Sequence, residues 1–446
     1  MEIRLSDHFT YSRLLRFTLP SIAMMVFTSI YGVVDGFFVS NFAGKSAFAA
    51  VNLLFPLLMI LATVGFMFGT GGTALVAKAF GENDAERGNR YFSLFVYFSF
   101  AIGVILAVLG IFFMRPISIL LGAGSEGELL ENCVVYGRIV IAALPFFVLQ
   151  LLFQSFFATA EKPKLGLAVT ITSGVTNMIL DAVLVLLLPQ EYKLVGAAIA
   201  TATSQTVGGV IPLFYFFSKN NSLLRLGKTH FDGKALIQAC VNGSSELMSN
   251  VSMNLVGMLY NLQLIAYAGE DGISAYGVMM YVSWIFAAAF IGYSIGTAPL
   301  VGYHHGAQNH GELRNLLGKS LKLTGVAGIG MLIVSECLAV PLSKIFVSYD
   351  PALLDLTVSG FRIFAISFPF MGYAILASAF FTALGDGVTS AIISFLRTLV
   401  FQIAAVLLLP LVFDIDGIWA SIIVAEFMAV ALSVFFLIIK QKKYQY

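Results

Sequence analysis

Twelve long stretches of this chain run with almost no charge, at residues 15–40, 49–79, 92–115, 132–158, 165–189, 194–218, 238–268, 273–303, 319–345, 355–384, 388–413 and 416–440. A bilayer crossing takes about 20 predominantly apolar residues, so each stretch can cross once. No water-soluble core could hide this much oil: 59% of the residues are hydrophobic and only 11% are charged, where a soluble domain carries about a quarter charged. A soluble enzyme, a nucleic-acid binder and a disordered chain are therefore poor fits. The expected fold is an all-α integral membrane protein with twelve transmembrane helices. The first stretch is too long for a cleavable signal and lacks a small-x-small exit, so no cleaved leader is expected. Cys133, Cys240 and Cys337 all lie in apolar stretches and suggest no disulfide framework.

Loop charge sets the expected orientation. With the N-terminus inside, 18 Lys and Arg fall on inner loops and tails and four on outer loops. That bias satisfies the positive-inside rule with both termini cytoplasmic. The chain also repeats itself. Tyr136-Gly-Arg138 through Pro145 matches Gly360-Phe-Arg362 through Pro369 at an offset of 224, and Gly81-Glu-Asn matches Gly306-Ala-Gln at 225. Leu184–Pro189 aligns with Ala405–Pro410 at 221. Two halves entering from the same side are parallel repeats about an axis along the membrane normal, an arrangement typical of transporters. The expected organisation is a six-helix lobe over 1–218, a basic cytoplasmic linker over 219–237 and a second six-helix lobe over 238–446.

Ionisable groups within such spans cost roughly 2.5–3.5 kcal/mol each, so each needs a reason. Asp35 and Asp181 both sit on the order of 10 Å below the outer ends of their helices, by the 1.5 Å rise per residue, and can meet at one depth. Asn177 is one turn before Asp181, and Thr201 lies in the following helix. Carboxylates, an amide oxygen and a hydroxyl are hard oxygen ligands, suited to Na⁺ or a shared proton. The alternative is that each aspartate snorkels to the outer surface. The repeat sets Tyr260 against Asp35 and Gln402 against Asp181, so this arrangement occurs once.

The second half carries instead Asn242, Glu246, Asn250 and Asn254 at i, i+4 spacing, which reads as a wet helix face lining a cavity or as interhelical hydrogen bonding. Glu426, Arg397 and Gln205 are further candidates for a substrate cavity, with Arg397 also suited to neutralising a cavity carboxylate. The repeat-related Arg138 and Arg362 suit a structural task. Gly69-Thr-Gly-Gly-Thr-Ala lacks a phosphate-loop ending and suits close helix packing. Pro20 in the first helix and the twins Pro145 and Pro369 remove backbone bonds and bend helices. Pro20 is the expected hinge.

Pro20 and Asp35, with Val34-Asp-Gly-Phe-Phe-Val-Ser-Asn41, then Asn177, Asp181 and Gly196-Ala-Ala-Ile-Ala-Thr201, resemble the MATE (multidrug and toxic compound extrusion) transporters, nearest the DinF and MepA-like bacterial branch. The likeness extends over essentially the whole chain. It implies two lobes in a V around a central cavity, and an H⁺ or Na⁺ site at Asp35, Asp181, Asn177 and Thr201. It also implies an antiporter of the bacterial inner membrane that exports small organic cations, with no catalytic residues and no cofactor beyond the coupling ion. A family branch that pairs a helix-seven glutamate with a helix-ten aspartate finds Glu246 here but no acid after Asp355. One chain holds both lobes, so a monomer suffices. The alternative, a flippase for a lipid-linked precursor, requires a cationic cavity, and acids rather than arginines dominate these spans.

Overall fold

The computed structural model describes residues 3–348 and 350–446. Helices account for nearly all of it, because a chain in hydrocarbon must satisfy its backbone polar groups within itself. In the first half these are α1 (Tyr11–Phe38), α2 (Lys45–Gly81), α3 (Ala85–Leu120), α4 (Glu128–Ala142), α5 (Leu144–Thr159), α6 (Pro163–Leu187) and α7 (Lys193–Phe217). The second half has α8 (Gly233–Gly306), α9 (His310–Val347), α10 (Pro351–Ala365), α11 (Phe368–Ala383), α12 (Gly387–Phe395), α13 (Phe401–Leu408) and α14 (Pro410–Tyr444). Among the described residues nine helices are long and apolar enough to cross a bilayer, or up to 11 spans with the bent pairs α4–α5 and α10–α11. The bends, 54° and 46°, lie where Pro145 and Pro369 occupy the first turns of α5 and α11. The 74-residue α8 breaks at Gly269 (φ 61°, ψ −148°), and each of its arms exceeds the roughly 20 residues of a crossing.

The backbone repeats along with the sequence. Asn83 and Gln308 take left-handed φ of 61° and 54°, each followed by a capping residue: Asp84 accepts from the Arg87 amide, Asn309 from that of Glu312.

The halves are joined near the end that carries both chain termini. There α2 meets both arms of α8 with glycine against backbone. A Cβ on Gly243 would fall 1.9 Å from the Met67 carbonyl oxygen, and one on Gly81 would fall 2.0 Å from that of Tyr303. Gly71, within the glycine-rich run of α2, meets Ala239 and Gly243 in the same way. α1 joins through Thr18 against Gly296 and Ser21 and Ile22 against Gly292. Farther from the termini, Gly32 on α1 and Gly257 and Gly277 on α8 have open space where a Cβ would stand.

Both termini are fastened. Glu161 accepts from the Leu5 amide at 2.6 Å, and Glu312 accepts from the Phe9 amide at 2.9 Å, so the N-terminal segment spans from the first half to the second. Asp386 accepts from Lys440 Nζ at 3.0 Å and from the Tyr444 hydroxyl at 2.9 Å. The segment after α7 is fixed as well. The Arg225 amide donates to Asn89, the Gly227 amide to Ser93 and the Thr229 hydroxyl to the Arg90 carbonyl, while Leu224 is fully buried.

Two outcomes follow. Gly243→Ala should cost about 1–3 kcal/mol by overpacking, read as a lower melting temperature in detergent, whereas Gly257→Ala should leave it unchanged. Burial works against the Asp386 charge, but the hydrogen bonds from Lys440, Tyr444 and Thr389 outweigh it and hold its pKa below the usual carboxylate range. A depressed folded-state pKa adds stability above the unfolded value of about 3.9, and that stability is lost as pH falls through the folded one. Asp386→Asn should therefore lower the melting temperature by a few degrees at pH 7, the gap to wild type closing below about pH 4.

Candidate functional site

Asp35 lies in the last turn of α1, just before a π turn at Val39–Ala43. α1 comes close to α6 at Gly174, where the absent side chain leaves room for the rings of Phe27 and Tyr31. That approach sets Asp35 beside Asn177 and Asp181, and α7, seated on α6 through Gly196 against Leu184, adds Thr201. Asp181 is 0% exposed and so does not snorkel to a surface, and Asn177 is 2% exposed, while Asp35 is partly accessible.

Among the described residues, Oδ1 of Asp35, Oδ1 of Asn177 and both carboxylate oxygens of Asp181 have no hydrogen-bond partner. The groups face each other within electrostatic reach but do not close bonds of good geometry. A buried acceptor left without a donor costs about 1–3 kcal/mol, more if charged. Two carboxylates in one apolar pocket add mutual repulsion. These four hard oxygens on α1 and α6, with the Thr201 hydroxyl of α7 beside them, are a donor set that fits Na⁺, or a proton held between the carboxylates.

Three residues that the sequence did not single out as site residues complete this pocket. Tyr136 of α4 faces Thr201 and both aspartates, Tyr31 faces Asp35 from one turn away, and Gln150 of α5 lies against Tyr31. Gln150 reaches the Ser173 hydroxyl at 3.5 Å, and Ser173 in turn donates to the Ser204 carbonyl at 2.7 Å. Gln205, beside it on α7, is buried with its side-chain oxygen unpartnered. A Tyr or Gln in an apolar run carries no anomaly of charge, and what would have exposed these three is contact between helices.

The repeat-equivalent position in the second half is closed by neutral bonds. The Tyr260 hydroxyl donates to Gln402 Oε1 at 2.9 Å and meets Ser421 Oγ at 2.6 Å. Nearby, Arg397 on the π turn Leu396–Val400 binds Glu426 bidentately, with Nε–Oε2 and Nη2–Oε1 both 2.8 Å. Their side chains are 15% and 3% exposed, so the two charges neutralise each other within the protein.

The polar stripe of α8 does not form one open face. Asn242 is 1% exposed with the Gly387 backbone pressed on its Cα, so it belongs to the α8–α12 contact rather than to a cavity wall. Asn250 and Asn254 donate to carbonyls one turn back on their own helix. Glu246 stands apart: deep in the protein, still partly accessible, and just past the tight crossing at Gly243. Pro20 lies inside α1 between Thr18 and Ser21, the residues that touch the second half. Arg138 donates to the Ile111 carbonyl, and Arg362 sits 3.6 Å from Glu336.

The profile of the MatE family matches residues 20–183 and 247–408. The chain belongs to the MatE family. Among curated MatE-like relatives, the multidrug export protein MepA of Staphylococcus haemolyticus is 25% identical over 95% of this chain and 92% of its own. MepA of Staphylococcus saprophyticus is 24% identical over 93% and 91%. Of solved MatE structures, a MATE protein crystallised with MaL6 superposes with a TM-score of 0.91 at 19% identity, covering 98% of each chain. A multidrug resistance MATE transporter in its outward-facing conformation gives 0.89 at 20% identity, over 98% and 97%. The fold is thus that of MATE transporters, in a multi-pass membrane protein.

Arg397→Leu would leave the Glu426 carboxylate buried alone and should cost about 3–5 kcal/mol in unfolding measurements, whereas Arg397→Leu with Glu426→Leu should recover most of that loss.

Proposed function

We propose that this protein is a secondary active multidrug efflux antiporter, exporting organic and mostly cationic compounds in exchange for H⁺ or Na⁺ bound in the first lobe. The observation that carries the reading is the convergence of Asp35, Asp181 and Asn177 with their buried oxygens unpartnered. The relatives named multidrug export proteins support the substrate class. A family match once in each half supports two lobes, 1–218 and 238–446, of six spans each, with α8 crossing twice. The loop charges support cytoplasmic termini in a bacterial inner membrane, and a single chain suffices for transport.

The coupling follows from where α1 is held. Near one end α1 carries Asp35 of the ion site, and near the other it packs on the second half through Thr18, Ser21 and Ile22, on either side of Pro20. An ion bound between Asp35 and Asp181 draws the far end of α1 onto α6 and α7. Pro20, which frees a carbonyl and weakens the helix there, lets that pull alter how α1 rests on α8. Ion and drug drive exchange to the extent that each prefers a different one of the two arrangements. Glu246, near the crossing of the halves and without an ion-pair partner among the described residues, is the acid best placed to meet a cationic substrate, while Glu426 is already satisfied by Arg397.

The test is efflux of a fluorescent lipophilic cation from proteoliposomes under a pH gradient or a Na⁺ gradient imposed separately. Wild type should respond to one of them, and Asp35→Asn and Asp181→Asn should each reduce that response at least about tenfold, the effect of about 1.4 kcal/mol. Efflux that ignores both substitutions would remove the proposed ion site.

A further inference from the structure

We propose that Tyr276, stacked on Tyr260 in the second half, is a specificity-determining platform on which planar aromatic cations lie during export. The proposal rests on the export reading above and adds the residue that selects among cations. The break at Gly269 folds the two arms of α8 together and brings Tyr260 of one arm against Tyr276 of the other. The rings are parallel, 4° apart in plane with centroids 5.1 Å apart. Tyr260 is 2% exposed, and its hydroxyl is anchored at Gln402 and Ser421 on separate helices. Tyr276 therefore leans on a ring that cannot turn. Such a surface loses little conformational freedom when a ligand settles on it.

Tyr276 is only partly buried, and it packs at the edge of the apolar core of the second half. Trp284, farther along the same arm, is 45% exposed and lies near the protein surface instead. Gly277 beside Tyr276 and Gly257 on the facing arm have nothing within 4 Å of a Cβ position, so no neighbouring atom crowds the backbone on either side of the stack. The local charge is compatible: Arg397 is engaged by Glu426, so its charge does not stand free to repel a cation here. An aromatic face attracts a cation through its quadrupole and stacks on a planar ring, and a saturated cation without a ring gains much less from it. The second half thus carries an aromatic surface at the position where the first half carries Asp35.

The test is equilibrium binding to the purified full chain in detergent, with ethidium followed by fluorescence and tetrabutylammonium by calorimetry. Tyr276→Leu should weaken ethidium about tenfold and leave tetrabutylammonium within about twofold, and Tyr276→Phe should match wild type for both. Retained tetrabutylammonium binding shows that the leucine variant is folded. Should that variant not fold, Tyr276→Trp should hold ethidium at least as tightly as wild type, and looser binding there would overturn the platform. Equal weakening of both cations, or unchanged ethidium binding in Tyr276→Leu, overturns the platform and leaves the export reading intact. Wild type binding neither cation overturns both.

Discussion

A carboxylate in hydrocarbon must be compensated, and among the described residues no cation supplies that compensation at Asp35 and Asp181. That sets this pocket apart from the other buried charges. Glu426 is matched by Arg397 and Asp386 by Lys440, each in a closed and self-sufficient pair. The aspartates of α1 and α6 have each other, an amide and a hydroxyl, all offering oxygen. A site of this kind is completed by something from outside, and because it joins three helices, completing it changes how those helices sit together. The arrangement of α1 follows from this constraint: it must approach α6 closely enough to share the pocket, which Gly174 permits, and still hold the other half.

Duplication supplies the scaffold, and divergence divides the work. Bent pairs, left-handed residues and capped turns recur in both halves. At the ion pocket they part: Tyr260 and Gln402 stand where the aspartates stand, and neutral hydrogen bonds replace facing acceptors. In the scheme proposed here the first half keeps a pocket that responds to an ion, and the second keeps a rigid wall.

Much of this was legible in the sequence for a physical reason. Membrane spans announce themselves by hydropathy, and charges within them by their cost, so Asp35, Asp181, Glu246, Arg397 and Glu426 could each be marked singly. Their partners could not. Nothing in the order of residues says that Arg397 meets Glu426, or that Tyr136, Tyr31 and Gln150 wall the aspartates, since those contacts join helices distant in sequence. The stripe on α8 misled at Asn242, because i, i+4 spacing identifies a face without saying what covers it, and here α12 covers it. The prolines were readable through their lost hydrogen bonds: Pro145 and Pro369 begin new helices at sharp bends, while Pro20 stays within a continuous α1.

The basic segment between the halves is not a slack tether. It is laced to α3 through Asn89, Arg90 and Ser93, and the residues that follow, Ala235, Leu236 and Ala239, are buried in the core of the first half. The opening turns of α8 therefore travel with the half that precedes them, although the sequence divides the chain before them. Any rocking of one half on the other is taken up along α8 itself, beyond Ala239, and its first two turns serve as an axle rather than a rope.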